Sequence, residues 1–138
     1  MKQLLSILIL SLTYGLCSSC GNDMPENSGV GMTWESKQAL TLGQDIPVPT
    51  SGGVYDLTCT SHATFGIRQL WDGEESSSGD LSSTLLQTAS KAWYEIRIEA
   101  NRMQVKILPN ETDKPRTLHI RVGSGGGGSA EFGFIQTP

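Results

Sequence analysis

Ala92-Trp93-Tyr94-Glu95-Ile96-Arg97-Ile98-Glu99-Ala100-Asn101-Arg102-Met103-Gln104-Val105-Lys106-Ile107 is the stretch that decides the fold. Ala92, Tyr94, Ile96 and Ile98 alternate with Trp93, Glu95, Arg97 and Glu99, and beyond Ala100-Asn101-Arg102 the apolar Met103, Val105 and Ile107 alternate with Gln104 and Lys106. A period of two is that of a strand with one buried face, whereas a helix would repeat every 3.6 residues. Two such runs in succession predict a hairpin turning near Asn101, a residue that tolerates the left-handed backbone of tight turns.

The same alternation extends outward in both directions. In Val54-Tyr55-Asp56-Leu57-Thr58-Cys59-Thr60 the face of Tyr55, Leu57 and Cys59 is the core candidate, and Leu118, Ile120 and Val122 alternate with Thr117, His119 and Arg121. Pro109-Asn110-Glu111-Thr112-Asp113-Lys114-Pro115 is a loop, and a last strand over residues 130–136 is entered through a glycine run. Weaker strands are expected over 39–42 and 65–70, with 46–48 a short edge piece because prolines flank it. No segment is a capped amphipathic helix, although 81–91 has room for one short turn. Six to eight short strands without helices predict an all-β fold: an immunoglobulin-like antiparallel β-sandwich.

The chain opens differently. Lys2 precedes an apolar run at positions 4–16, which is the layout of a secretory signal and too short for a membrane span of about 18 residues or more. Cys17-Ser18-Ser19-Cys20-Gly21 follows and resembles a lipobox, where a bacterial signal peptidase cuts before a cysteine that carries lipid. Ser18 and Ser19 supply the small residues for Cys20, while Cys17 stands where such sites usually have Leu. The expected organisation is a lipoprotein signal peptide at 1–19, a lipidated Cys20 with a flexible tether at 20–33, and one domain at 34–138. The alternative is an ordinary cleaved signal and a soluble secreted product. Two acids behind Cys20, Asp23 and Glu26, resemble the surface-export signal of Bacteroidetes lipoproteins, so the expected location is the cell envelope, lipid-anchored at the outer membrane.

The whole chain carries 10 Lys and Arg against 14 Asp and Glu, a net charge of −4. Loss of Lys2 with residues 1–19 makes that −5, which offers no basic footprint to nucleic acid. Cys17 and Cys20 belong to the export region, leaving Cys59 alone, so the domain has no internal disulfide to rely on.

Residues 110–122, closing in Phe134-Ile135-Gln136, resemble the last hairpin of BACON-like domains, with an Asn-rich loop, an Arg opening the next strand and a Gln in the final one. Pro49-Thr50-Ser51-Gly52-Gly53 before Val54 is similar to the early Gly-Gly turn of that family. The resemblance covers roughly residues 39–138 and implies an immunoglobulin-like fold in Bacteroidetes envelope proteins, where these domains accompany carbohydrate handling and often act as spacers. The insertion at 72–91 and the glycines at 123–128 depart from the pattern, both in loops.

Catalytic and cofactor chemistry finds little support. The glycines from Gly123 to Gly128 satisfy G-x-G-x-x-G after a strand, but a dinucleotide site needs a helix next, and Glu131-Phe132-Gly133-Phe134 is strand-like. The run is therefore expected to be a flexible hairpin loop. His62 and His119 are the only imidazoles, with His119 expected to face solvent, and no zinc spacing is present. Asp72, Glu74, Glu75 and Asp80 cluster in a loop without the spacing of a calcium site. There is no G-x-S-x-G, and Glu95 and Glu99 share an outward face as solvated acids. No catalytic residue, cofactor or metal is expected. The candidate ligand-binding residues are Trp71, which opens the long polar loop, and Trp93, out of phase with Tyr94, Ile96 and Ile98. Exposed indoles are flat apolar platforms suited to sugar rings or partner proteins; the alternative has Trp71 capping the core and Trp93 packing under the long loop. The expectation is an envelope-anchored, non-catalytic module that binds carbohydrate or acts as a spacer, or else an accessory subunit of a surface assembly such as a fimbria.

Overall fold

The computed structural model describes residues 31–41, 43–73, 76–77 and 85–138. Ten strands occur among them: β1 (Trp34–Ser36), β2 (Ile46–Val48), β3 (Gly53–Cys59), β4 (Gly66–Trp71), β5 (Ser76–Ser77), β6 (Thr88–Lys91), β7 (Tyr94–Glu99), β8 (Arg102–Ile107), β9 (Arg116–Gly123) and β10 (Ser129–Gln136). They form two five-stranded sheets, in the orders β1-β3-β8-β7-β6 and β2-β10-β9-β4-β5.

This is the strand order of an immunoglobulin-like sandwich. β1, β3, β8 and β7 take the places of A, B, E and D, facing β10, β9 and β4 as G, F and C. β5 extends the second sheet beyond C, while β6 pairs with β7 and so joins the first. All pairings are antiparallel except β2, which runs parallel along β10 from Phe134↔Ile46 to Gln136↔Val48.

The alternating strands bury the face read from their pattern. Tyr55, Leu57 and Cys59 from β3, Tyr94, Ile96 and Ile98 from β7, and Met103, Val105 and Ile107 from β8 meet Leu118, Ile120, Val122, Phe132 and Phe134 from the opposite sheet. Cys59 carries no disulfide, so the sheets are held by packing. Trp34 sets its ring edge-on to Phe65 at 4.8 Å and to Phe132 at 4.9 Å.

Several elements differ from expectation. Residues 39–41 are not a strand, position 42 lies outside the described residues, and the first strand is β1, anchored by Trp34. Residues 88–91 form β6 instead of a helical turn, and 81–84 lie outside the described residues. In the β7–β8 turn the left-handed residue is Ala100, at φ 52°, and not Asn101. Asn101 ties the turn to β3: its Nδ2 donates to the Cys59 carbonyl at 3.0 Å, and its own carbonyl accepts from the Cys59 N–H at 2.8 Å. Met32 is buried and Thr33 bonds Ser61 and Thr60, so the packed domain already includes them.

Candidate functional site

The outer face of the second sheet is built from register. Strand β9 places Trp71 opposite His119 and Gln69 opposite Arg121 on one side, and Gly133 opposite His119 and Glu131 opposite Arg121 on the other. A β-bulge between Ile67 and Gln69 decides which way Trp71 points. Strict alternation from the buried Ile67 would turn residue 71 inward; the extra residue, Arg68, shifts the phase so that Leu70 is buried and Trp71 is 40% exposed. Arg68 is held in the bulge by its Nη2 donating to the Ser124 carbonyl at 2.8 Å.

Trp71 separates two concavities. On one side Gln69, His119, Arg121 and Glu131 join it around a volume of about 300 Å³. The Trp71 and His119 rings lie 5.2 Å apart at 44°, and Arg121 Nη2 is 3.0 Å from Glu131 Oε2. His119 thus faces outward as expected but is sheltered, its side chain 31% exposed. The surface continues past Gly133, where a Cβ would stand 2.0 Å from Asp45 Oδ1 and 3.1 Å from His119 Cε1, so both side chains lie close over the bare backbone there.

On the other side lies a cleft of about 720 Å³ lined by Trp71, Asp72, Lys91, Trp93, Lys114 and Arg116, among others. Trp93 does not belong to a strand. It sits in the tight turn between β6 and β7, half-buried against the core, with its carbonyl accepting from the Leu108 N–H at 2.9 Å. Its ring meets Tyr94 edge-on at 5.1 Å, and the Arg116 guanidinium lies 5.5 Å from the ring centre. Asp72 ion-pairs with Lys91; Glu74, Glu75 and Asp80 lie outside the described residues. Burial, reinforced by the Asp72 carboxylate and partly offset by Lys91, pushes the Tyr94 phenol above its usual range.

The two tryptophans singled out in the sequence therefore open onto one cleft, together with Lys91, Lys114 and Arg116, which sequence reasoning missed. No periodicity joins positions 71, 91–93 and 114–116; only the folded topology does. Cys20 lies outside the described residues. Among the described residues no group of three His, Cys, Asp or Glu is placed to hold a metal ion.

The residues that carried the family resemblance are mainly structural. Gln136 Nε2 donates to the carbonyls of Leu108 at 2.9 Å, Pro49 at 3.2 Å and Thr50 at 3.3 Å. Asn110 Nδ2 donates to Lys114 O at 2.8 Å and Thr137 O at 3.2 Å, while its Oδ1 accepts from Thr112 Oγ1 at 2.7 Å. Together they clamp the 109–115 loop to the last strand and to the turn at Pro49 and Thr50.

Fold and site define an immunoglobulin-like β-sandwich domain with an aromatic, polar-rimmed cleft where the end of β4, the β6–β7 turn and the start of β9 meet at one edge of the sandwich. A solved structure of a protein from Bacteroides thetaiotaomicron is similar to it: 26% identity, TM-score 0.66, over 78% of this chain and 86% of the other. Two further structures overlap more loosely. One is a Bacteroides ovatus GH5 xyloglucanase in complex with a XXXG heptasaccharide (14% identity, TM-score 0.46, 76% of this chain and 19% of that one). The other is the M1 domain from titin (11% identity, TM-score 0.45, 77% and 92%). No protein-family model and no curated protein matches the chain. The immunoglobulin-like class rests on the strand order itself.

Proposed function

We propose that this is a non-catalytic, BACON-like glycan-binding module, carried on the bacterial envelope by a lipid at Cys20, with Trp71 at the centre of its binding surface. The observation that carries the reading is the convergence of Trp71 and Trp93 on one cleft rimmed by hydrogen-bonding side chains. An indole stacks on the apolar face of a sugar ring while neighbouring polar groups reach its hydroxyls. The similarity to the Bacteroides thetaiotaomicron structure supports the kind of source organism. Among the described residues the carboxylate of the cleft is Asp72, which is engaged by Lys91, and this supports a binding surface over acid–base chemistry.

The test is binding of the full-length protein, purified in detergent, to a glycan array and then by calorimetry. Removing the apolar contact of one indole costs about 1–3 kcal/mol, so Trp71→Ala should weaken binding roughly tenfold or more. Trp71 is exposed at the end of β4, so its melting temperature should stay near that of the parent. Trp93→Ala should lose affinity and also melt lower, because that ring packs on the core. Undiminished binding in Trp71→Ala, or no glycan bound across a broad array, overturns the reading and leaves the spacer or assembly role.

A further inference from the structure

We infer that the cleft between Trp71 and Trp93 is selective for an anionic sugar unit, its carboxylate or sulfate group held by Lys114 and Arg116. This rests on the glycan-binding reading and adds the chemical class of ligand.

The charge of the cleft opposes that of the chain. The protein carries −4 overall, yet among the described residues three cations, Lys91, Lys114 and Arg116, line this cleft against one carboxylate, Asp72. Asp72 is paired with Lys91, which leaves two positive charges facing the space beside the indoles. Several cations elsewhere are paired with carboxylates: Arg121 lies 3.0 Å from Glu131, Arg97 2.6 Å from Glu95 and Lys37 3.9 Å from Asp56. Among the described residues Arg102 and Lys106 on β8 are not, but they stand away from the two indoles and do not line this cleft. Neither Lys114 nor Arg116 has a carboxylate partner among the described residues. Glu111 and Asp113 share their loop, but neither lines the cleft.

Both cations are also held in position. Asn110 Nδ2 donates to the Lys114 carbonyl at 2.8 Å and the Lys114 N–H donates to Thr112 Oγ1 at 3.4 Å, so the backbone carrying the ammonium is clamped. Arg116 opens β9, donates one long bond from Nη1 to Pro109 O at 3.4 Å, and lies by the Trp93 ring. A guanidinium has five N–H donors, so most remain for an oxyanion, and its planar fork suits carboxylate and sulfate alike. Flat apolar platforms beside two unneutralised cations match a sugar ring bearing a carboxylate or sulfate better than a neutral one.

Two matched pairs of polysaccharides test this on the full-length protein in detergent: polygalacturonate against its fully methyl-esterified form, and dextran sulfate against dextran. The first pair reports a carboxylate, the second a sulfate. At least one charged member should bind ten times tighter than its neutral partner or more, with affinity falling as salt rises from about 50 to 300 mM. Lys114→Gln and Arg116→Gln should each reduce that preference about fivefold, while Arg102→Gln, on the opposite sheet, should leave it unchanged. Lys114 is exposed, so Lys114→Gln should melt like the parent and separates ligand contact from folding. Equal binding of charged and neutral partners overturns the anionic specificity but leaves the glycan reading standing. A charge preference that survives both cleft variants also overturns it, by placing the anion elsewhere. Binding to none of the four polysaccharides, combined with a blank array, overturns both.

Discussion

Gln136 is 1% exposed and its single amide nitrogen serves the carbonyls of Pro49, Thr50 and Leu108. Gln136→Leu keeps the volume and deletes the donor, stranding backbone acceptors in the interior, so it should cost on the order of 1–3 kcal/mol. In a domain of this size that lowers the melting temperature by several degrees, measured by calorimetry. A Gln136→Leu protein that melts with the parent would show the clamp to be dispensable. Tyr94 and Tyr55 give a second residue-scale prediction. Burial raises both phenols above the 10.0 usual for tyrosine, with Asp72 adding to the effect on Tyr94. The fold favours the neutral phenol, so above that value the unfolded chain releases protons before the native one. The stabilisation is complete below pH 10.0 and is lost as pH climbs through the native pKa values. Urea midpoints should hold steady up to that point and then fall, and Tyr94→Phe should flatten part of the decline.

Turns show how elements were only partly legible. Strands β3, β7, β8 and β9 have enough alternating residues to declare a buried face, and their cores match the pattern. β1, β2 and β5 have two or three residues each, less than two full periods, so pairing rather than pattern defines them. The bulge at Arg68 was invisible for a related reason: one inserted residue looks like a flaw in alternation until the neighbouring strand is known. The glycine run at 123–128, expected to be flexible, is a tied turn. The Ser124 N–H donates to Gly128 O at 2.9 Å, the Gly128 N–H to Ser124 Oγ at 3.1 Å, and the Gly127 N–H to Ser124 O at 3.3 Å. Removing two of its residues would break these bonds, so its tolerance is not that of a free loop. Gly127 has φ 98°, whereas a Cβ at Gly125 would meet nothing within 4 Å. Gly127→Ala should therefore destabilise by about 1 kcal/mol or more and Gly125→Ala should be neutral or slightly stabilising, read from denaturant midpoints. The opposite substitution applies at the β7–β8 turn. Ala100→Asn should gain a few tenths of a kcal/mol or more, since Asn tolerates the left-handed region better; a loss there would mean that Ala100 is not strained.

At the scale of the molecule, sequence could nominate Trp71 and Trp93 singly because each stands at the border of a polar loop, but it could not show that they share a cleft. Their meeting depends on β4, the β6–β7 turn and the start of β9 arriving at one edge. The proposed export region is the reverse case, argued from sequence alone, since residues 1–30 lie outside the described structure. Structure still sharpens the test of the anchor. Cys59 is 1% exposed within the core, with its Sγ 3.7 Å from Ser61 Oγ, so a folded chain leaves only Cys17 and Cys20 to accept a lipid. The stretch between Cys20 and Gly31 can extend at most about 40 Å, enough to hold the domain clear of a bilayer surface. Growth with labelled palmitate should mark the protein in the parent and in Cys17→Ala. In Cys20→Ala the label should vanish and the protein should leave the membrane fraction for the soluble one, still melting as the parent does because the sandwich is untouched. Label retained in Cys20→Ala would move the modification to Cys17, and label absent from the parent would make the leader an ordinary cleaved signal.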